Sequence, residues 1–194
     1  MDGAKQTRMT RLVNVPNVLT AIRLLLAIVA FVLLPMGLPI ATMFVFIVAA
    51  VTDWVDGWWA RRFDQVTQFG RIFDPFADKI IVCGLFILLA AERGSQIAPW
   101  MAVVVVGREM LVTALRSSIE QSGGDFSAKM AGKLKMVFQC AAIIASLMIL
   151  QRGPETAPEW MHWVVSALVW LAVVSTIYSG VGYLLAAGKH LTSE

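Results

Sequence analysis

The chain alternates between long apolar stretches and short polar connections. Each apolar stretch is close to the roughly 20 residues that an α-helix needs to cross the hydrocarbon core of a bilayer. Six such stretches predict helices over residues 17–34, 40–60, 75–91, 97–115, 134–150 and 160–187. The pattern therefore predicts an all-α, polytopic integral membrane protein with six transmembrane helices.

The composition supports this class. Of the 194 residues, 58% are hydrophobic and 15% are charged, which is a balance typical of membrane proteins. No linker-like tract or internal repeat interrupts the sequence, so we expect a single membrane domain over residues 1–194, with 1–16 as its cytoplasmic N-terminal segment. A signal peptide is the alternative for the N-terminal run. Arg23 interrupts that run and no clear cleavage site follows, so the first helix is expected to be retained.

The connections differ in basic charge. Lys and Arg are concentrated in the two tails and in the second and fourth connections: Lys5, Arg8, Arg11, Arg61, Arg62, Arg71, Arg116, Lys129, Lys133, Lys135 and Lys189. The connections on the opposite side carry Arg93 and Arg152. Because short cytoplasmic loops are enriched in Lys and Arg, both termini are predicted to be cytoplasmic.

Four aspartates occur where the second and third predicted helices approach the cytoplasmic side: Asp53, Asp56, Asp74 and Asp78. A carboxylate in a membrane segment costs several kcal/mol unless it meets a cation or another partner. On helices, spacings of three and four residues place each pair on one face. Hard carboxylate oxygens favour Mg²⁺ or Mn²⁺, and the absence of Cys and His from this segment argues against zinc. The spacing predicts a divalent-metal site.

Small residues lie beside the first pair of aspartates. Gly57 and Ala60 would leave a depression in which a nucleotide could lie against the helix, although close helix packing explains these two residues equally well. The step Asp74-Pro75 leaves two alternatives. Asp74 caps a helix that begins at Pro75, or the helix begins near Gly70 and kinks at Pro75.

Basic residues further along the chain predict an anion site. Arg108 and Arg116 are eight residues apart on one helix face, and Lys133 and Lys135 lie at the start of the next helix, so together they could clamp a phosphate. For the lysines, a positively charged cytoplasmic rim is the alternative. Glu109 adjoins Arg108, and we expect these two side chains to need separate partners, because neighbouring positions on a helix point in different directions.

Two polar residues near the cytoplasmic end of the first span are further candidates for this site. Thr20 and Arg23 follow Asn17 at intervals of three residues. The alternative is that Arg23 extends to the lipid headgroups and that Thr20 bonds to the backbone.

The acidic segment resembles the signature of the CDP-alcohol phosphotransferase family at every position. The matching residues are Asp53, Asp56, Gly57, Ala60, Arg61, Gly70, Asp74 and Asp78. The flanking segments NVPNVLTAIR, GREMLVTALR and GKLKMVFQ are similar to those of the bacterial phosphatidylglycerophosphate synthases within that family.

The resemblance implies a fold and a reaction. Six helices would surround a polar cavity open to the cytoplasm, commonly in a homodimer in the bacterial inner membrane. CDP-diacylglycerol and glycerol 3-phosphate would yield phosphatidylglycerophosphate and CMP, with two Mg²⁺ or Mn²⁺ ions as cofactors and no nucleic-acid partner.

The resemblance also implies roles for individual residues. The four aspartates would bind metal, and Asp78 would also be the catalytic base. Asp53, Gly57, Ala60, Arg61 and Gly70 would bind the nucleotide. The phosphate of the acceptor would be bound by Arg108, Arg116, Lys133, Lys135, Thr20 and Arg23.

Other functions remain open from the sequence. The same chemistry could use inositol phosphate, phosphatidylglycerol or serine as the acceptor alcohol. A transporter coupled to divalent cations or protons is a more distant alternative, because acidic residues in membrane helices can also form an ion site.

Overall fold

The computed structural model describes residues 15–63, 68–121 and 130–191. Within these ranges only the backbone is described for residues 15–17, 19, 53–63, 68–78, 117–121, 130, 131, 133, 186 and 189–191. The described residues form six helices in chain order: α1 (Val15–Leu33), α2 (Pro39–Phe63), α3 (Gln68–Ala91), α4 (Pro99–Gln121), α5 (Met130–Arg152) and α6 (Glu159–Leu191). For the residues that the structure describes, the prediction of an all-α fold with six helices is confirmed.

The largest differences from the predicted helix boundaries are at the start of α3 and the end of α4. The third helix begins at Gln68 rather than at residue 75, so Pro75 lies inside α3 and is not its first residue. This favours the alternative in which the helix begins near Gly70. The fourth helix continues past residue 115 to Gln121. The end of α4 is missed because hydropathy detects the apolar part of a helix and backbone hydrogen bonding continues beyond it.

Two helical segments are long and apolar enough to cross a bilayer by themselves, Leu134–Arg152 and Glu159–Leu185. Shorter apolar stretches occupy Thr20–Leu33, Pro39–Thr52 and Lys79–Ala91. Large apolar side chains such as Leu25 and Phe44 are exposed, whereas Gln139 and Thr176 are buried. The exposure of many large apolar side chains, together with buried polar ones, is typical of a membrane protein.

The helices group into two compact units, residues 1–81 and 82–194. In unit 1, α1 packs against α2. The buried face of α1 contains Ala27 and Ala30, and that of α2 contains Phe46 and Ala49. Small residues at such positions let two helix backbones approach closely. Pro39 begins α2, a position at which its missing N–H removes no helical hydrogen bond.

In unit 2, α6 is the central helix. Both α4 and α5 pack against it. Its buried residues include Val169, Ala172, Val173 and Thr176, and α5 contributes residues such as Leu147. With 33 residues, α6 is the longest of the described helices.

Two short turns of unit 2 contact each other, one between α3 and α4 and one between α5 and α6. Gly94 has a φ of 88°, and a Cβ added there would lie 2.3 Å from Cγ of Pro154. The side-chain nitrogen of Gln96 lies 3.0 Å from Nδ1 of His162, at the start of α6. The close approach at Gly94 leaves no space for a side chain, so glycine is required there for both its φ and its size.

Candidate active site

The acidic motif lies on two regular helices of unit 1. Asp53 and Asp56 are on α2, and Asp74 and Asp78 are on α3. Because the helices run through these positions, the spacings of three and four residues place each pair on one helix face. Gly57, Ala60 and Arg61 also lie on α2, and Gly70 lies on α3. The side chains of these residues are outside the described part of the structure.

The donor set of the motif fits a divalent cation. Four carboxylates on two helices supply oxygen ligands of the kind that Mg²⁺ and Mn²⁺ prefer. Among the side chains that the structure describes, no group of three or more His, Cys, Asp or Glu residues could hold a metal. The four aspartates are not among those side chains, so their assembly into one metal site stays a prediction.

Thr20 and Arg23 are buried on α1. Their exposed fractions are 5% and 2%. The alternative in which Arg23 extends to the lipid headgroups is therefore wrong. An arginine can be buried in a membrane protein only when polar or anionic groups compensate its charge. Unit 1 thus contains a buried cation as well as the four aspartates.

Unit 2 contains a buried cluster of three charged side chains on α4 and α5. Arg108 Nη1 lies 3.0 Å from Oε1 of Glu109, and Lys135 Nζ contacts the same oxygen. The three side chains are at most 9% exposed. The expectation that Arg108 and Glu109 cannot face each other is wrong, although each also has a separate partner: Ser179 for Arg108 and Lys135 for Glu109. The arginine stem is long and flexible enough to bring its guanidinium back to the neighbouring carboxylate.

Residues of α6 also contact Arg108. Nη2 of Arg108 donates a hydrogen bond of 2.5 Å to Oγ of Ser179 on α6. The centre of the guanidinium lies 5.4 Å from the centroid of the Tyr183 ring, within the range of a cation–π interaction. A Cβ added to Gly180 would lie 3.1 Å from Cγ of Arg108, so the arginine stem rests against the backbone of α6.

Sequence reasoning missed Ser179 and Tyr183 as parts of this arrangement. Both are uncharged residues in an apolar helix, and neither belongs to a recognised motif. The sequence does contain a pattern that could have indicated them, because Thr176, Ser179 and Tyr183 recur at intervals of three and four residues. The structure shows that all three are buried on one face of the helix. Thr176 continues the polar face, since its Oγ1 accepts a hydrogen bond of 2.9 Å from Nε2 of Gln139 on α5.

The three side chains that form this cluster in unit 2 do not balance one another in charge. Arg108 and Lys135 contribute two positive charges, and Glu109 contributes one negative charge. Among the contacts of the described residues, the buried Nε of Arg108 has no hydrogen-bond partner. A guanidinium has five N–H donors, and the contacts above use two of them. A buried cation with unused donors favours an anionic ligand.

The remaining predicted cations lie nearby in the sequence. Arg116 is half-buried on α4, two helical turns beyond Arg108, which corresponds to about 12 Å along the helix axis. Lys133 lies on α5 two residues before Lys135, and its side chain is outside the described residues. Of the charged residues singled out in the sequence, the structure shows contacts that join Arg108, Glu109 and Lys135.

Comparison with known proteins gives a family match over most of the chain. Residues 13–178 match the family model described as CDP-alcohol phosphatidyltransferase. A protein of Pseudomonas fluorescens is 36% identical over 192 residues, covering 93% of each chain. One of Escherichia coli strain K12 is 34% identical over 186 residues, covering 93% of this chain and 98% of its own.

A third relative has the same name and a shorter match. A protein of Bacillus subtilis strain 168 is 37% identical over 139 residues, covering 71% of this chain and 68% of its own. All three of these relatives bear the name CDP-diacylglycerol–glycerol-3-phosphate 3-phosphatidyltransferase.

Proposed function

The chain belongs to the CDP-alcohol phosphatidyltransferase family, and from this premise we propose that it transfers the phosphatidyl group of CDP-diacylglycerol to sn-glycerol 3-phosphate. The products are phosphatidylglycerophosphate and CMP, and the reaction belongs to phospholipid biosynthesis. The observation that carries the proposal is the combination of a complete acidic motif with relatives of this name over 93% of the chain.

The acidic motif would bind both the metal and the nucleotide. Asp53, Asp56, Asp74 and Asp78 are the proposed ligands of two Mg²⁺ or Mn²⁺ ions, in a family that is generally dependent on divalent metals. When bound, such ions would neutralise the charge that develops on the pyrophosphate during transfer. Gly57 and Ala60 would leave room for the cytidine nucleotide, with Asp53, Arg61 and Gly70 as its other proposed contacts.

Asp78 is the proposed catalytic base. Its carboxylate would take the proton from the acceptor hydroxyl of glycerol 3-phosphate. The hydroxyl oxygen would then attack the β-phosphorus of CDP-diacylglycerol, which is the phosphorus that carries the diacylglycerol. The bond from this phosphorus to the bridging oxygen breaks, and CMP leaves with the electron pair.

The buried cluster on α4 and α5 supports a phosphate-bearing acceptor. The unused donors of Arg108 suit the phosphate of glycerol 3-phosphate, whereas an acceptor without an anionic group would leave these donors without a partner. Arg108 and Lys135 are therefore the proposed acceptor ligands with most support. Arg116, Lys133, Thr20 and Arg23 are the other candidates for the acceptor phosphate.

The membrane arrangement is part of the proposal. The six helices would cross the bacterial inner membrane, with both termini in the cytoplasm and a polar cavity open to that side, as one membrane domain that pairs into a homodimer. The basic connections and the exposed apolar side chains support this arrangement.

A direct assay tests the proposed function. Purified protein in detergent would be supplied with CDP-diacylglycerol and Mg²⁺ or Mn²⁺, and CMP release would be measured with glycerol 3-phosphate, inositol phosphate or serine. We expect release with glycerol 3-phosphate, its loss on chelation of the metal, and its recovery when the metal is returned. Release only with another alcohol would overturn the acceptor assignment. No release with any alcohol would overturn the proposed function.

A further inference from the structure

Arg108 is held in one orientation by α6. Ser179 accepts a hydrogen bond from Nη2, the ring of Tyr183 faces the guanidinium, and the backbone at Gly180 lies against the arginine stem. Ser179 and Tyr183 are both buried, so water does not compete strongly for these contacts. Each contact acts on a different part of the Arg108 side chain, and together they restrict its rotation.

These contacts differ from the one with Glu109. The Glu109 carboxylate cancels one positive charge, whereas Ser179 and Tyr183 are neutral and leave the charge of Arg108 in place. The contacts with α6 therefore fix the direction of the Arg108 guanidinium and do not neutralise its positive charge. Direction matters, because a guanidinium recognises phosphate through a planar pair of N–H donors.

We propose that Ser179 and Tyr183 are positioning residues that orient Arg108 toward the phosphate of the acceptor, so that α6 helps to select a phosphorylated acceptor over a neutral one. This inference rests on the proposed function. Without the α6 contacts Arg108 would keep its charge but would populate several orientations, and acceptor binding would have to select one of them.

Kinetic constants of matched variants test the inference. Ser179→Ala and Tyr183→Leu should each raise the KM for glycerol 3-phosphate by roughly tenfold, the order expected for a lost hydrogen bond to a charged group. The KM for CDP-diacylglycerol should stay within about twofold. The controls are Ser175→Ala, whose hydroxyl bonds to the backbone of its own helix, and Tyr178→Leu, whose side chain is exposed. Tyr183→Phe keeps the ring that faces the guanidinium, so it should raise this KM less than Tyr183→Leu does.

A pair of glycine variants changes the position of Arg108 and removes no polar group. A Cβ at position 180 would meet Cγ of Arg108 at 3.1 Å, while a Cβ at position 182 would meet nothing within 4 Å. Gly180→Ala should raise the KM for glycerol 3-phosphate severalfold and Gly182→Ala should not, although alanine favours the helix by a similar amount at both positions.

A double-mutant cycle separates positioning from a general structural role. In an Arg108→Ala background, Ser179→Ala should change the KM for glycerol 3-phosphate no further, because the residue that it orients is gone. A second, additive rise would overturn the inference. If Tyr183→Leu does not accumulate as folded protein, Ser179→Ala, which removes one oxygen atom, decides the question.

The two proposals fail in different ways. The acceptor role of Arg108 fails if Arg108→Ala keeps the wild-type KM for glycerol 3-phosphate. The positioning role alone fails if Arg108→Ala raises that KM while Ser179→Ala and Tyr183→Leu leave it unchanged.

Discussion

Glu109 shares its carboxylate between two buried cations. Arg108 and Lys135 both contact Oε1 of Glu109, from α4 and α5 respectively. Removing one partner of a buried ion pair is more harmful than the net contribution of the pair suggests, because the remaining charge is left in a poorly solvated place. Here the removal would leave two cations close to each other.

We therefore expect Glu109→Gln to lower the free energy of unfolding by about 3 kcal/mol. Equilibrium unfolding of the purified protein in mixed detergent would measure the change. Glu155→Gln is the matched control, since this residue is exposed in the turn between α5 and α6, and its effect should stay within about 0.5 kcal/mol. The double variant Glu109→Gln/Lys135→Met should recover part of the loss. Equal losses for Glu109→Gln and Glu155→Gln would contradict this account.

Asp78 gives a prediction about chemistry rather than stability. If its carboxylate takes the hydroxyl proton, Asp78→Asn should reduce kcat by roughly a hundredfold or more. Binding of CDP-diacylglycerol, measured by calorimetry on the same preparation, should persist. Normal turnover by this variant would remove Asp78 from the role of base.

At the scale of elements, the sequence predicts the helices well and their ends less well. The apolar runs identify the six described helices, but the sequence leaves two starts open for α3, because Asp74-Pro75 resembles a helix start. Pro75 is tolerated inside α3, where the helix extends seven residues before it. The helix α4 likewise continues beyond its apolar part to Gln121. Local propensity cannot show how far tertiary packing extends a helix.

The sequence predicts the charged residues of the candidate site and misses the uncharged ones. Arg108, Lys135 and the four aspartates are conspicuous because ionisable groups are costly in a membrane. Ser179 and Tyr183 are not, since a hydroxyl and an aromatic ring are common in apolar helices. Their contribution depends on which face of α6 meets α4, and only the packing of these helices reveals it.

The turn between α3 and α4 yields a prediction at this scale. Gly94→Ala would place a Cβ against Pro154 in addition to straining a backbone with φ of 88°. Gly37→Ala is the matched control, because Gly37 has a φ of 74° and open space around it. We expect Gly37→Ala to cost about 1 kcal/mol from backbone strain alone. Gly94→Ala should cost clearly more, visible as a larger fall in the melting temperature; equal falls would contradict the steric argument.

At the scale of the whole molecule, the division of apolar and polar side chains between surface and interior is typical of a membrane protein. Residues such as Leu25, Phe44 and Leu185 are exposed, while the polar side chains of Gln139, Ser146 and Thr176 are buried. The hydrophobic effect cannot hold such helices together inside a bilayer, so packing and buried polar contacts take a larger share. The charged cluster and the Gln139–Thr176 hydrogen bond are contacts of this kind.

The proposed topology can be tested with single cysteines. In a background with Cys83→Ala and Cys140→Ala, Glu155→Cys should react with a membrane-impermeant thiol reagent in intact spheroplasts. Ala4→Cys should react only after lysis, because the positive-inside rule puts the N-terminal tail in the cytoplasm. Labelling of Ala4→Cys in sealed spheroplasts would reverse the proposed orientation.

The contact between the two turns of unit 2 has a consequence for recognition by antibodies. Gly94 lies against Pro154, and Gln96 lies beside His162, so residues from two distant parts of the sequence form one continuous surface. An epitope on this surface would be discontinuous. Antibodies raised against the folded protein at this surface should therefore fail on denatured blots, and those raised against either turn as a linear peptide should bind the folded protein poorly.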